Sequence, residues 1–247
     1  MDLPSALAAD RRQCVAVVGA GGKKTTLYRL GSALDRAVVT STVRIPIFDE
    51  QVSDVVVTDD PVAALAAHGD GDDAWPLGLV PERERDDRYR GYDPAVVDDL
   101  ATTHDGPVLV KADGARNRLL KAPDDREPQL PSRADTVLPI ASARVVGEPL
   151  STACVHRPER VSALTGVAVG DDLDATAVAR VLVNPEGGLK DVPDDARVVA
   201  VVNMVDDDAL RATGERIAAE ALAHSDRLDR VVLTQLLSPD PVVEVFA

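Results

Sequence analysis

A glycine-rich stretch near the start of the chain has the residue types that bind phosphate. The apolar run from Cys14 to Val18 leads into a turn with three glycines, and two lysines, two threonines and a helical pattern follow. Glycines let backbone N–H groups approach phosphate oxygens, a lysine adds a mobile positive charge, and a threonine hydroxyl can ligate Mg²⁺. The stretch therefore predicts a nucleotide site formed by Gly19, Ala20, Gly21, Gly22, Lys23, Lys24, Thr25 and Thr26.

The register of this loop has two solutions. The strict pattern G-x-x-x-x-G-K-[ST] is not met, and the shorter spacing resembles the GxxGKT loop of Mur ligases. In one register Lys23 is the phosphate lysine, and Lys24 stands where a hydroxyl is expected. In the other, Lys24 is the phosphate lysine, Thr25 supplies the hydroxyl and Lys23 replaces the last glycine. A ligand-free turn and a dinucleotide loop are the alternatives, but Lys24 stands where G-x-G-x-x-G needs its third glycine.

Asp113 follows a second apolar strand, in VLVKADGAR. An acidic residue at that place in a phosphate-loop protein holds Mg²⁺ directly or through water, and Gly114 permits close approach of a phosphate. The alternative is a strand-ending turn, since Asp-Gly is a common turn pair. We predict a Mg²⁺ site made by Thr25 and Asp113, with Lys23, Lys24 and Asp113 as the catalytic residues.

The segment VVNMVD resembles the NKxD box that reads guanine. Asp206 would accept hydrogen bonds from the base and Asn203 would brace the loop, although Met204 replaces the lysine. The alternative is a cap for the helix that follows. Asn203 and Asp206 are thus predicted nucleotide-binding residues, and ATP, GTP and CTP all stay open as the nucleotide.

A substrate or partner is expected at other strand ends and in the long polar loop from Lys111 to Pro131. That loop is too long for a mere connector, and long polar loops of this kind carry function. Hydroxyl and charged side chains also follow the strand that ends near Ser41. The predicted substrate or partner residues are Thr40, Thr42, Arg44, Lys121, Glu127, His156 and Arg157.

The composition makes nucleic acid an unexpected partner. The chain of 247 residues has 27 Lys and Arg against 42 Asp and Glu, a net charge of −15. Proteins that bind nucleic acid usually show a basic face. Only five residues are lysine, and an acidic, lysine-poor surface suits a high-salt cytoplasm, although a GC-rich genome also favours arginine. From this composition we expect a halophilic protein. We also expect it to be cytoplasmic, because no run suggests a signal peptide or a membrane span.

Strands alternate with helices along the chain, and several strands are apolar throughout. This pattern predicts an α/β fold, a mainly parallel sheet with helices on both faces in a P-loop NTPase-like three-layer sandwich. The candidate motifs all follow strands, where ligands bind in such sheets. We expect one domain, 1–247, with a helical insertion around 150–190. Residues 1–12 are expected to form a short helix or arm, Gly69 to Asp73 a surface loop, and Glu82 to Arg90 a solvated segment.

With these residues in view, the chain resembles the YqeC family, described as accessory proteins of selenium-dependent molybdenum hydroxylases. The resemblance rests on VVGAGGKKTTLYRLG, TSTVRIP, ADGARNRLLKAPDDREPQLP, VHRPERVSALTGV, NPEGGLKDVP and VVNMVD. Asp113, Gly114, Lys121, Pro123, Glu127, Pro128 and Pro131 match the family's middle block. Lys111 stands where the family generally has Glu, and Met204 where it has Lys.

The resemblance implies a nucleotide-dependent step in maturing a molybdenum or selenium cofactor, with the hydroxylase or its cofactor as partner. Three interpretations stay open. The first is an enzyme that hydrolyses NTP or transfers a phosphoryl or nucleotidyl group. The second is a GTPase-type switch or metallochaperone, and the third is a non-catalytic binder of a nucleotide-containing molybdopterin cofactor.

Overall fold

The computed structural model describes residues 1–9, 13–69, 71 and 74–247. One nine-stranded sheet runs through its centre. Its strands are β1 (Cys14–Gly19), β2 (Val38–Ser41), β4 (Asp54–Val57), β5 (Leu77–Val80), β7 (Val108–Lys111), β9 (Thr136–Ser142), β11 (Arg197–Asn203), β12 (Arg230–Thr234) and β13 (Val242–Phe246). Their order across the sheet is β13-β12-β11-β9-β1-β7-β2-β5-β4. Every neighbouring pair is parallel except the pair of β12 and β13 at one edge.

Seven α-helices accompany the strands in the described part of the chain. They are α1 (Leu3–Ala6), α2 (Lys23–Ala33), α3 (Pro61–Ala67), α4 (Pro94–Thr103), α5 (Pro158–Thr165), α6 (Ala175–Val183) and α7 (Asp208–His224). Aspartate side chains accept hydrogen bonds from first-turn N–H groups of several helices, for example Asp93 from Ala95 and Asp174 from Ala177. Such caps satisfy donors that have no partner within the helix.

Helices cover both faces of the sheet, because its central strands carry apolar side chains on both sides. Val15 and Val17 of β1 pack on the side of α1 and α2. Cys14 and Ala16, one residue out of phase, face the side of α4, and further along that side α6 and α7 cover β9, β11 and β12. Strands buried on both faces read as continuous apolar runs, which is why β1 and β11 lack alternation. The predicted α/β three-layer sandwich of P-loop NTPase-like type is confirmed.

Two short strand pairs lie outside the main sheet. β8 (Leu120–Lys121) pairs with β10 (Val155–His156), and β3 (Ile45–Pro46) pairs with β6 (Arg88–Tyr89). The prediction of a solvated segment at 82–90 is therefore wrong for β6, because Tyr89 is buried and its ring packs edge-on against Phe48. Asp10, Arg11, Arg12, Asp70, Asp72 and Asp73 lie outside the described residues, and with them part of the predicted N-terminal arm and of the 69–73 loop.

The parallel arrangement decides where the loops meet. β1, β2, β7, β9 and β11 all run in one direction, so their carboxyl ends lie at the same edge of the sheet. The glycine-rich loop, TSTVRIP, KADGAR and VVNMVD each lie at one of these ends. Helices α5 and α6 occupy 158–183, and a helical insertion around 150–190 stays a prediction. Within the described residues no helix has the length and apolar character needed to cross a membrane.

Candidate functional site

The loop after β1 has a backbone that only glycine adopts easily. Gly19, Gly21 and Gly22 have φ values of 89°, 90° and 147°. A Cβ on Gly19 would collide with the carbonyl oxygen of Ile140, and one on Gly22 with the amide of Asn203. Glycine therefore serves both the positive φ and the close approach at these positions.

This loop leaves a row of backbone donors open at the start of α2. The N–H of Ala20 is bonded to the Ile140 carbonyl, and the N–H of Thr26 to the Gly22 carbonyl. Within the described residues, the N–H groups of Gly21, Gly22, Lys23, Lys24 and Thr25 make no hydrogen bond to the protein. Such donors, together with the helix dipole, attract anions.

Lys23 is the lysine that folds back over the loop. It is the first residue of α2, after the N-cap Gly22, and its side chain is buried. Its Nζ donates to the carbonyl oxygen of Gly19 and lies 2.7 Å from Oδ1 of Asp113. This geometry corresponds to the first register, in which Lys24 occupies the position of the hydroxyl residue. Lys24 is half-buried beside the same loop.

Asp113 ties the glycine-rich loop to a buried ionic network. Its Oδ2 accepts from the N–H of Gly19 at 2.9 Å and lies 2.9 Å from Nζ of Lys121. Lys121 also donates to Oε2 of Glu127 at 2.6 Å and to the carbonyl of Gly114 at 2.6 Å. Arg157 donates to the same Oε2 at 2.8 Å. A buried ion pair needs such additional hydrogen bonds, because each charge has lost its water.

These contacts set the protonation of the buried groups. Burial by itself raises the pKa of Asp113, but Lys23 and Lys121 outweigh it and hold that pKa below its usual value. Burial lowers the pKa of Lys23, against the opposing attraction of Asp113. Burial, with repulsion from Lys23, also lowers the pKa of Lys111 to about 7. The cluster is therefore a set of coupled charges, sensitive to any added anion.

The loop opens into a cleft of about 830 Å³ whose walls are strongly basic. Among the described residues that line it, Glu127 is the single carboxylate. The described lining residues include eight lysines and arginines, namely Lys23, Lys24, Arg44, Arg88, Lys111, Arg116, Arg118 and Arg157. Since the whole chain carries a charge of −15, these basic side chains make the cleft a local exception to the charge of the chain.

Strained backbone is concentrated in the same cleft. Seven non-glycine residues among the described ones have a positive φ. Four of them line the cleft, namely Arg116, Asn117, Arg157 and Met204. Residues held in this unfavourable conformation cluster at functional sites, because the surroundings must over-determine them. The strained residues and the basic side chains therefore lie in the same cleft, which makes this cleft the candidate functional site.

In the segment that resembles the guanine-reading NKxD box, the two predicted residues have different surroundings. Asn203 is buried, and its Nδ2 donates to the Gly21 carbonyl at 2.7 Å while its Oδ1 accepts from Thr234 at 3.0 Å. It braces the loop, the role that the sequence assigned to it. Asp206 lies 2.5 Å from Arg144 and does not line the cleft, whereas Met204 does. Base recognition by Asp206 stays a prediction.

The other predicted residues divide between the cleft and the fold. Arg44, Glu127, His156 and Arg157 line the cleft with the loop. The hydroxyls of Thr40, Thr42 and Thr26 are bonded instead to the backbone carbonyls of Leu79, Gln129 and Gly22. The imidazole of His156 has a pKa lowered to about 4, by burial first and then by Arg157 and Lys121. It is therefore a neutral group at pH 7.

The two predicted Mg²⁺ ligands, Thr25 and Asp113, have different surroundings, and a metal site between them stays a prediction. Both carboxylate oxygens of Asp113 are engaged by ammonium or N–H groups, and Asp113 is 1% exposed and does not line the cleft. Thr25 does line it, but contributes one neutral oxygen. Mg²⁺ prefers one or two carboxylates together with substrate phosphates. The described residues also contain no group of three or more His, Cys, Asp or Glu that could hold a metal.

Four charged residues of the cleft were not predicted as site residues, namely Arg88, Lys111, Arg116 and Arg118, and neither was Met204. A signal existed for three of them. Arg116 and Arg118 belong to the long polar loop that was expected to be functional, and Lys111 begins it. Arg88 had none, because the short strand β6 that carries it lies in a segment rich in charges of both signs.

Comparison with known proteins gives a family. The YqeC family model, described as "YqeC protein", matches residues 15–159, more than half of the chain. A relative named "Uncharacterized protein YqeC", from Escherichia coli (strain K12), is 29% identical over 210 residues, which cover 81% of each chain. No solved structure matches the chain.

Proposed function

The chain belongs to the YqeC family, and we propose that it binds a nucleoside triphosphate, with the phosphates at the loop 19–25 and the remainder of the ligand in the basic cleft. One observation carries the proposal, namely the row of five open backbone N–H groups beside Lys23 and Lys24. A polyphosphate supplies the acceptors and the negative charge that this arrangement lacks.

The place of this activity is the maturation of a molybdenum or selenium hydroxylase cofactor. This part of the proposal rests on the family resemblance and on the block around Asp113, Lys121 and Glu127. In the fold that block joins the phosphate loop to Arg157 through buried ion pairs. A ligand that draws Lys23 away from Asp113 would therefore change the charge balance of the whole block. Nucleotide binding at the loop would in this way affect Arg157, which also lines the cleft.

A second candidate is a binder of a nucleotide-containing molybdopterin cofactor. The observation that favours it is the extent of the cleft, because Arg116, Arg118 and Arg157 line it as well as the phosphate loop. Its volume of about 830 Å³ lies toward the upper end of the usual range for ligand pockets. A dinucleotide would bring anionic groups to the loop 19–25 and to these three arginines at the same time.

Calorimetry with ATP, GTP and CTP in concentrated KCl tests the proposal. We expect saturable binding by the wild type and its loss in Lys23→Ala, because the loop then lacks its buried ammonium. Asp125→Asn is the matched control, since Asp125 is an exposed partner of Arg160 and should bind like the wild type. Release of phosphate with and without a small-molecule acceptor then separates an enzyme from a binder. Failure of every nucleotide to bind would refute the proposal.

A further inference from the structure

We infer that the phosphate site of this chain works without a divalent metal, with the ammonium group of Lys24 in the role that Mg²⁺ has in other phosphate loops. The inference rests on the proposed function and deepens it, because it names free polyphosphate as the form of ligand that binds. It begins from the register that the structure shows.

Lys24 occupies the position of the metal-ligating hydroxyl. In phosphate loops the Ser or Thr that holds Mg²⁺ comes directly after the lysine. Here Gly22 is the N-cap, Lys23 is the first helical residue and folds back to the Gly19 carbonyl, and Lys24 is the second helical residue. A positive side chain thus stands where other loops recruit a positive ion.

The surroundings of Lys24 leave its charge available. The side chain is half-buried and lines the cleft, and within the described residues it makes no hydrogen bond or ion pair. Burial, and then repulsion from Arg88, lowers its pKa. A phosphate beside it would remove both penalties, since an opposite charge favours the protonated amine.

The carboxylate that could hold a metal is neutralised by two lysines. If Lys23 turns toward a phosphate, it releases Oδ1 of Asp113 but leaves Oδ2 bonded to Lys121 and to the N–H of Gly19. Lys121 is itself fixed by Glu127 and Gly114. A divalent cation at Asp113 would then lie beside a buried ammonium, which is electrostatically unfavourable.

No other cleft residue replaces Asp113. Glu127 is the one carboxylate in the part of the lining that the structure describes, and it is already bonded through Oε1 to the N–H of Gly114 and through Oε2 to Lys121 and Arg157. His156 offers nitrogen, whereas Mg²⁺ selects oxygen ligands. The fixed cations of the walls should also favour free polyphosphate over its magnesium complex, because bound Mg²⁺ neutralises two of its charges.

Calorimetric titration with inorganic tripolyphosphate, in excess MgCl₂ and separately in EDTA, tests this directly. We expect the wild type to bind equally well or more tightly in EDTA. We expect Lys24→Thr to lose about tenfold in affinity in EDTA, the equivalent of about 1.4 kcal/mol, and to recover part of it in MgCl₂. Lys24→Arg is the matched control and should keep the wild-type behaviour, because it keeps the charge.

The outcomes separate this inference from the function on which it rests. Wild-type binding that is lost in EDTA overturns the metal-free site but leaves a nucleotide-binding protein. A Lys24→Thr variant that matches the wild type in EDTA, or that gains nothing from MgCl₂, overturns the role of Lys24. Absence of binding of tripolyphosphate and nucleotides in both conditions overturns the proposed function as well. Circular dichroism of each variant checks that Lys24, which is outside the core, has not altered the fold.

Discussion

Replacing Asp113 with Asn tests the buried network, because it changes a charge with almost no change in shape. The carboxylate is 1% exposed, and its oxygens face Lys23 at 2.7 Å and Lys121 at 2.9 Å. Lys121 keeps Glu127, but Lys23 keeps only the Gly19 carbonyl. The new amide can accept a single bond well, and its NH₂ group would face an ammonium.

We expect Asp113→Asn to lower the free energy of unfolding by about 3–5 kcal/mol, the usual cost of removing one partner of a buried ion pair. Asp125→Asn is the matched control. Asp125 pairs with Arg160 at 2.9 Å, but its side chain is 90% exposed, so the loss should be about 0–1 kcal/mol. Urea unfolding of both variants gives the two values.

The pH dependence and a double variant sharpen the test. The Asp113 carboxyl has a lowered pKa, so the stability it adds is complete above its ordinary value of 3.8 and is lost as the pH falls below it. The difference between wild type and Asp113→Asn should shrink in that acid range. Adding Lys23→Met should recover part of the loss, because the unpaired charge is removed. Equal small effects of the two Asn variants, or strict additivity with Lys23→Met, would refute the reasoning.

Two further predictions concern the loop and the imidazole. Asn203→Ala should reduce stability by about 1–3 kcal/mol, since it leaves buried polar groups unpaired, and should also weaken polyphosphate binding; urea unfolding and calorimetry measure the two effects. Thr103→Ala, which removes an exposed hydroxyl bond, is its control. His156→Gln should make the protein less sensitive to acid, because the lowered pKa of His156 means that native stability falls as the pH drops from 6.5 toward 4. Unfolding curves across that range would contradict this if wild type and variant kept a constant difference.

The order and type of most elements were predictable from the sequence. The strands and helices alternate along the chain as the sequence predicts, and the strands of the central sheet are parallel except at one edge. Strong local signals explain this, namely continuous apolar strands, prolines at helix starts and aspartate caps. The prediction of a solvated segment failed at 88–89 because the local signal there is weak. A two-residue strand is too short to show a period, and Tyr89 is buried only because Phe48 packs on it.

The candidate site was predictable in part. The loop from Gly19 to Thr25 was identified by glycine and lysine chemistry that acts over a few residues. Four more residues were predicted from strand ends and from the segments that resemble the YqeC family. They line the cleft, and they are Arg44, Glu127, His156 and Arg157. The hydroxyls of Thr40 and Thr42 looked equally available in the sequence, yet both are bonded inside the fold.

The sequence by itself determined the glycine- and lysine-rich stretch after β1, the alternation of strands and helices, and the acidic character of the chain. Tertiary structure decided what Asp113 contacts, which register the lysines adopt, and that basic residues between 23 and 157 meet in one cleft. The physical reason is the distance along the chain over which each interaction acts. Local backbone and burial preferences are written in neighbouring residues, whereas the partner of a buried charge is set by which distant strands the sheet brings side by side.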